Sequence, residues 1–203
     1  EEFKKSFNPT FKKENGKNHI NFQLVKKWIE LILKLDQEEE PEIIALEDDK
    51  QSFTLPVKHD SREFKFKISG KIDRIDKKNG ITRILDYKTG AYEKAVSLDK
   101  ALSKLSKREN KYTLQALIYA TAFQNNHAEA RIKPGIVSLR SPSSPITIID
   151  NNDIRFNEET VVQLKNELKT RLESFINPDL PITQTEDTDE CKYCDFNLIC
   201  KKV

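Results

Sequence analysis

Methionine is missing from all 203 residues, position 1 included. A natural start is therefore not expected at Glu1. The sequence predicts a piece of a longer or processed polypeptide, with any upstream targeting signal outside it. Glycine is scarce, with five in all, which excludes a collagen period and argues against Gly-rich phosphate loops and Rossmann turns. No apolar run approaches the roughly 20 residues of a membrane span, and there is no heptad array or solenoid-range repeat. Cysteine is limited to three, all near the C-terminal end of the sequence. An odd, clustered set does not fit a secreted disulfide framework and points to a reducing intracellular setting. Neither sign of charge is in excess. The 35 Lys and Arg against 33 Asp and Glu leave only +2, so any nucleic-acid partner must be argued from local patches.

What is present suffices for a folded core. Hydrophobic residues make up 36% of the chain and include 11 Phe, which argues against wholesale disorder. At about 150 residues per domain the length fits one domain with an appendage at most. Ile20, Leu24, Trp28, Leu31, Ile32 and Leu35 recur at helical steps, so an amphipathic helix is expected over Lys17 to Leu35, ended by the acidic stretch Asp36 to Pro41. Short strands are expected at Ile43 to Leu46 and Ser52 to Val57. The alternation of Phe64, Phe66, Ile68 and Ile72 with polar residues reads as one half-buried strand, followed by a second at Ile81 to Lys88. Ala95 to Arg108 and Tyr112 to Phe123 read as helices, and Arg131 to Leu139 and Ile146 to Ile149 as strands. A last helix starts at Asn157 and runs to about Ile176. Mixed strands and helices predict an α/β domain with a mixed sheet.

Between the second pair of strands stands Asn79-Gly80, the strongest short hairpin signal. As a two-residue type I′ turn it sets Lys78 against Ile81, and counting back along both strands brings Asp73 opposite Asp86 on one face. Lys88 points to that face as well. Two opposed carboxylates repel. Either a divalent cation such as Mg²⁺ or Mn²⁺ compensates them, or one Asp turns to solvent and Lys88 or Arg74 neutralises the other.

The strings Gly70-Lys71-Ile72-Asp73-Arg74-Ile75-Asp76 and Ile84-Leu85-Asp86-Tyr87-Lys88-Thr89-Gly90 resemble the nuclease signature of the RecB family, within the P-D-(D/E)-x-K superfamily. The resemblance implies a restriction-endonuclease-like core, a central mixed β-sheet flanked by helices. It implies a single nuclease domain over residues 1–203. Residues 1–41 would be an N-terminal helical segment, 42–176 the catalytic core and 177–203 a loop with a cysteine tail. It assigns Asp73, Asp86 and Lys88 to catalysis, with Gln115 and Tyr119 matching the family's Gln-x-x-x-Tyr motif. It places Mg²⁺ or Mn²⁺ on Asp73 and Asp86, with the Tyr87 carbonyl and Glu47 as further ligands. Gln115 and Tyr119 also fit an ordinary core helix, and Glu47 a surface carboxylate at a strand end.

Cys191-x2-Cys194-x5-Cys200 has metal-ligand spacing. The resemblance implies a [4Fe–4S] cluster in the full-length protein, its fourth Cys upstream of this sequence, so that the site here is incomplete. His19, His59 and His127 are alternatives for a fourth ligand, or plain surface and packing residues. Lys100, Lys104, Lys107, Arg108 and Lys111 share one helix face, either a track for DNA phosphates or a solvated face. The function implied is a metal-dependent DNA nuclease, an exonuclease working with a helicase domain or subunit in recombination or repair. Its setting would be cytoplasmic, at the bacterial nucleoid, with no membrane partner. The alternatives are a non-catalytic DNA-binding module that keeps the nuclease fold, and a Cys-based zinc or redox protein.

Overall fold

The structure, a computed structural model, describes residues 16–90, 92, 110–128, 130–141, 145–149, 156–181, 183, 191 and 194–200. It opens with helix α1 (Gly16–Glu39), followed by strands β1 (Glu42–Asp48), β2 (Ser52–His59), β3 (Arg62–Ser69), β4 (Ile72–Lys78) and β5 (Ile81–Lys88). Then come α2 (Lys111–Asn126), β6 (Ile132–Ser138), β7 (Ile146–Ile148), α3 (Glu158–Ile176) and the single turn α4 (Asn197–Cys200). Five strands form the central sheet in the order β1-β4-β5-β6-β7, while β2 and β3 pair in a ladder of their own. The sheet is mixed, as expected: β5 and β6 run parallel, and the other neighbours are antiparallel.

The β4–β5 hairpin has the register the Asn-Gly step dictates, with pairs from Lys78↔Ile81 to Arg74↔Leu85. Asn79 and Gly80 have φ of 52° and 76°, the left-handed pair a type I′ turn requires, and this matches the right-handed twist of the strands. The hairpin sits between β1 and β6 and is buried on both faces. Ile72, Ile75 and Ile84 pack beneath Ala120 and Phe123 of α2. Further along α2, Ala116 and Leu117 meet Ile136 of β6 and Leu164 of α3. Small residues on α2 let the helix lie close to the sheet. Asn157 caps α3 as its composition suggests, its side chain accepting the Thr160 amide at 2.9 Å.

Two expectations are corrected. The single strand expected through Phe64 and Ile72 is two strands in two different sheets, broken at Gly70-Lys71. On β3 the better-buried residues are Phe66 and Ile68, whereas on β4 residues of both parities are buried, Arg74 and Asp76 as well as Ile75, so alternation alone does not show the break. The first helix also continues past Leu35, because Asp36 and Glu39 are not a solvated break. They are the last turn of α1, turned down onto arginines of the sheet.

Candidate functional site

Strand alternation divides the hairpin side chains between two environments. One set faces α2: Asp73, Asp86 and Lys88. The other faces α1: Arg74, Asp76, Arg83 and Tyr87. On the α2 side, the ladder stops at Arg74↔Leu85, and the next step would set Asp73 against Asp86. There the Asp73 carboxylate replaces the backbone, with Oδ2 accepting the Tyr87 amide at 2.7 Å. Both carboxylates thus stand where the sheet pairing opens.

Asp86 is only 2% exposed. Lys88 Nζ lies 2.5 Å from its Oδ2 as an ion pair, and among the described residues no other group meets that oxygen. Burial pushes the Asp86 carboxyl above its usual range. The Lys88 charge opposes the shift, and the charge of Asp73 adds to it. A buried carboxylate oxygen without a hydrogen bond is costly unless something else meets it.

Lys88 is held from behind. Its ammonium donates to Gln115 Oε1 at 3.0 Å, and Gln115 Nε2 donates to Tyr119 Oη at 2.8 Å. An amide whose nitrogen is committed to one side presents its oxygen to the other, so Tyr119 orients Gln115 toward the ammonium. The four-residue spacing on α2 places both side chains on one helix face. The ammonium also lies 4.9 Å from the centroid of the Tyr112 ring, one helical turn before Gln115. Sequence reasoning missed Tyr112, although a Tyr three residues from Gln115 is a readable signal.

The donor set fits a hard divalent ion. It is oxygen-only, it carries two carboxylates, and one buried oxygen has no partner but Lys88 among the described residues. The Tyr87 amide faces Asp73, and in an extended strand a residue's carbonyl projects to the same edge as its amide. The Tyr87 ring is on the other face, within hydrogen-bond reach of Arg74 at 3.3 Å. Glu47 is brought across from Asp73 by the bracketing pairs Leu46↔Arg74 and Asp48↔Ile72. Its carboxylate is exposed and ion-paired with Lys71, whose ammonium it holds above its usual pKa. Among the described residues no group of three His, Cys, Asp or Glu converges as a metal cage.

A sequence profile for the PD-(D/E)XK nuclease superfamily matches residues 3–201. The chain belongs to this superfamily. A solved structure described as that of SSO0001 is similar at 19% identity and a TM-score of 0.36, over 85% of this chain and 66% of that one. The chain thus spans just under two thirds of that protein's length. No curated protein matches significantly. The mixed five-strand sheet flanked by helices is consistent with the restriction-endonuclease-like core of PD-(D/E)XK nucleases.

The remaining candidates in this nuclease domain fare differently. Of the basic helix face, Lys111 is seen stacking on the Tyr112 ring at 4.8 Å. Lys100, Lys104, Lys107 and Arg108 lie outside the described residues. Cys191 is buried, Cys194 exposed and Cys200 half-buried. The three do not converge on a point where a metal would sit, so as arranged here they do not fit a cluster. His127 is stacked on Phe123 with ring centroids 4.0 Å apart, and His59 lies beside Asp60. No described helix is long and apolar enough to cross a membrane.

Sequence reading also missed the α1 face. Asp76 is fully buried, gripped by Arg74 Nε at 2.7 Å and by Arg83 Nε at 2.6 Å. Arg74 reaches Asp36 at 2.7 Å, and Arg83 reaches Glu39 at 2.6 Å. Burial works against each guanidinium, but the carboxylates outweigh it and hold both above the ordinary arginine range. This network fastens α1 to the back of the strands that carry Asp73 and Asp86.

Proposed function

We propose that the chain is the catalytic domain of a divalent-metal-dependent DNA nuclease of the RecB type. It would act as an exonuclease on ends delivered by a helicase domain or subunit of a larger assembly in recombination or repair. Residues 42–176 would be its catalytic core. One observation carries the reading: a buried Asp86 carboxylate whose Oδ2 is met, among the described residues, by the Lys88 ammonium alone, beside Asp73 and with that ammonium locked by Gln115 and Tyr119.

Asp73, Asp86 and the Tyr87 carbonyl would hold Mg²⁺ or Mn²⁺, with Glu47 joining if it leaves Lys71. When bound, such an ion polarises the scissile phosphate and makes a water acidic enough to attack it. Lys88 has three N–H donors. One is spent on Gln115 and the ammonium is ion-paired with Asp86, which leaves a donor for a phosphate oxygen or the attacking water. In this half-buried place its charge would stabilise the negative charge that builds up on the phosphate oxygens. Gln115, oriented by Tyr119, keeps Lys88 from swinging away, and the Tyr119 O–H remains as a donor to the DNA backbone. Lys111 and the basic residues before it would meet backbone phosphates without reading sequence.

The iron–sulfur reading rests on the Cys191, Cys194 and Cys200 spacing and its resemblance to the RecB family. Iron and acid-labile sulfide measured after anaerobic purification test it, and stoichiometric zinc without iron would displace it. The nuclease reading is tested by digestion of single- and double-stranded DNA with Mg²⁺ or Mn²⁺. Digestion by Asp86→Ala and Lys88→Ala at the parent rate would show that the assignment is wrong. Salt-sensitive DNA binding without any metal-stimulated cleavage would favour a binding module instead.

A further inference from the structure

Gly70 stands in the two-residue link between β3 and β4, three residues before Asp73. Its φ is not in the left-handed region, unlike that of Gly16 or Gly80, so the backbone path does not demand glycine here. Space does. A Cβ on Gly70 would lie 2.4 Å from Tyr119 Cε1, 3.2 Å from Cζ and 3.3 Å from Cδ1. The first of these distances is far inside van der Waals contact. The tyrosine edge next to its hydroxyl therefore rests directly on the bare Cα of Gly70.

The ring is hemmed on its other side. Tyr119 is half-buried and packs against the cluster of Ile72, Ile75 and Ile84, and the buried Leu117 and Ala120 fix its helix against the sheet. An added methyl would have to turn the ring about its side-chain bonds, and that moves the hydroxyl away from Gln115. The consequence runs along a chain already described: Tyr119 Oη accepts from Gln115 at 2.8 Å, and Gln115 accepts from Lys88 at 3.0 Å.

We propose that Gly70 is a positioning residue: its missing side chain seats the Tyr119 ring and, through Tyr119 and Gln115, fixes the Lys88 ammonium beside Asp86. The effect on turnover rests on the nuclease reading of Lys88; the seat itself does not. Gly70 thereby couples the strand that carries Asp73 to the helix that steers Lys88. A shift of either one is transmitted to the other.

A double-mutant cycle in the full chain tests this, with Gly70→Ala, Tyr119→Ala and the pair. Thermal melts and the Gln115 side-chain amide resonances report the seat without any need for activity. Gly70→Ala is expected to lower the melting point by about 2–10 °C and to shift the Gln115 amide signals. In the Tyr119→Ala background it should do neither. With Mn²⁺ and DNA, Gly70→Ala should lower kcat by roughly 10- to 100-fold with KM nearly unchanged. In the Tyr119→Ala background the same change should cost less than about twofold. Independent, multiplying losses would overturn the proposal, as would an unmoved Gln115 amide. An intact seat with wild-type kcat would overturn the positioning role and leave the nuclease reading standing. A parent protein inactive on DNA with either metal would instead sink the nuclease reading, and the melts and resonances would then decide the seat alone.

Discussion

The two faces of the β4–β5 hairpin are built from similar charged residues and use them in opposite ways. On the α1 face, Arg74, Asp76 and Arg83 are buried, and each meets partners within about 2.6–2.9 Å, with Asp36 and Glu39 closing the network. On the α2 face, Asp73, Asp86 and Lys88 form a sparser set, in which the buried Asp86 Oδ2 has the Lys88 ion pair and no other partner among the described residues. Buried charge alone therefore does not mark a site, since a satisfied network is a fastener. What distinguishes the second face is unmet bonding capacity together with a raised carboxyl pKa, the arrangement that a cation completes.

The largest expected effect separates the faces by activity. Lys88→Ala should lower metal-dependent DNA cleavage by about 10²–10³-fold, the usual cost of removing one preorganised charge donor. It should leave chemical denaturation much less affected. The matching change on the other face is Asp76→Ala. It leaves two buried guanidiniums short of a partner, which typically costs about 3–5 kcal/mol. Asp36 and Glu39 remain to hold them, so about 3 kcal/mol is expected by urea denaturation. Protein still folded at low temperature should cleave near the parent rate. If Asp76→Ala cost under about 1 kcal/mol, or if Lys88→Ala proved the more destabilising, the contrast between the faces would be broken.

Much of the α2 face was legible in the sequence because local rules fix it. Asn79-Gly80 determines the turn, the turn determines the register, and period 2 then puts Asp73, Asp86 and Lys88 on one side. Gln115 and Tyr119 were marked by the resemblance to the family's Gln-x-x-x-Tyr motif, and helical spacing added only that they share a face. The α1 face was not legible. The Arg74–Asp36 and Arg83–Glu39 pairs join residues 38 and 44 positions apart, and nothing in the local pattern shows a helix end folding back that far. Gly70 was legible as part of a motif but not as a seat, because its reason is a ring 49 positions later, at Tyr119. For the cysteines, spacing constrains the chain path but not where each thiol turns, and in this structure the three do not meet.

Asp86→Asn sharpens the comparison with a smaller effect. It removes a charge that burial disfavours while keeping size and one acceptor oxygen. Cleavage should be lost, while the melting temperature near neutral pH should rise by a few degrees, an exchange of stability for function. No such gain is expected from Asp76→Asn, because the Asp76 charge is paired twice. A fall in melting temperature for Asp86→Asn would mean that the Lys88 ion pair outweighs burial and that the site is not strained.

The finest test is the pH dependence of stability in acid, where the faces should pull in opposite directions. Burial alone would raise the Glu39 carboxyl, but hydrogen bonds from Arg83 and Lys78 outweigh it and hold the carboxyl below its ordinary 4.5. Glu39 therefore contributes stability that is present above pH 4.5 and lost as pH falls through its lower folded value. Asp86 has its folded pKa raised above 3.8, by burial first and then by Asp73 against the opposing Lys88. Its contribution is fully present below pH 3.8 and is lost as pH rises through the raised value. Stability profiles of Glu39→Gln and Asp86→Asn measured from pH 3 to 6 should thus depart from the parent with slopes of opposite sign. The Glu39 variant should lose part of the rise toward neutrality, and the Asp86 variant should rise more steeply than the parent. Slopes of the same sign would mean that both carboxylates are paired alike. The α2 face would then lack the unmet charge on which a cation depends.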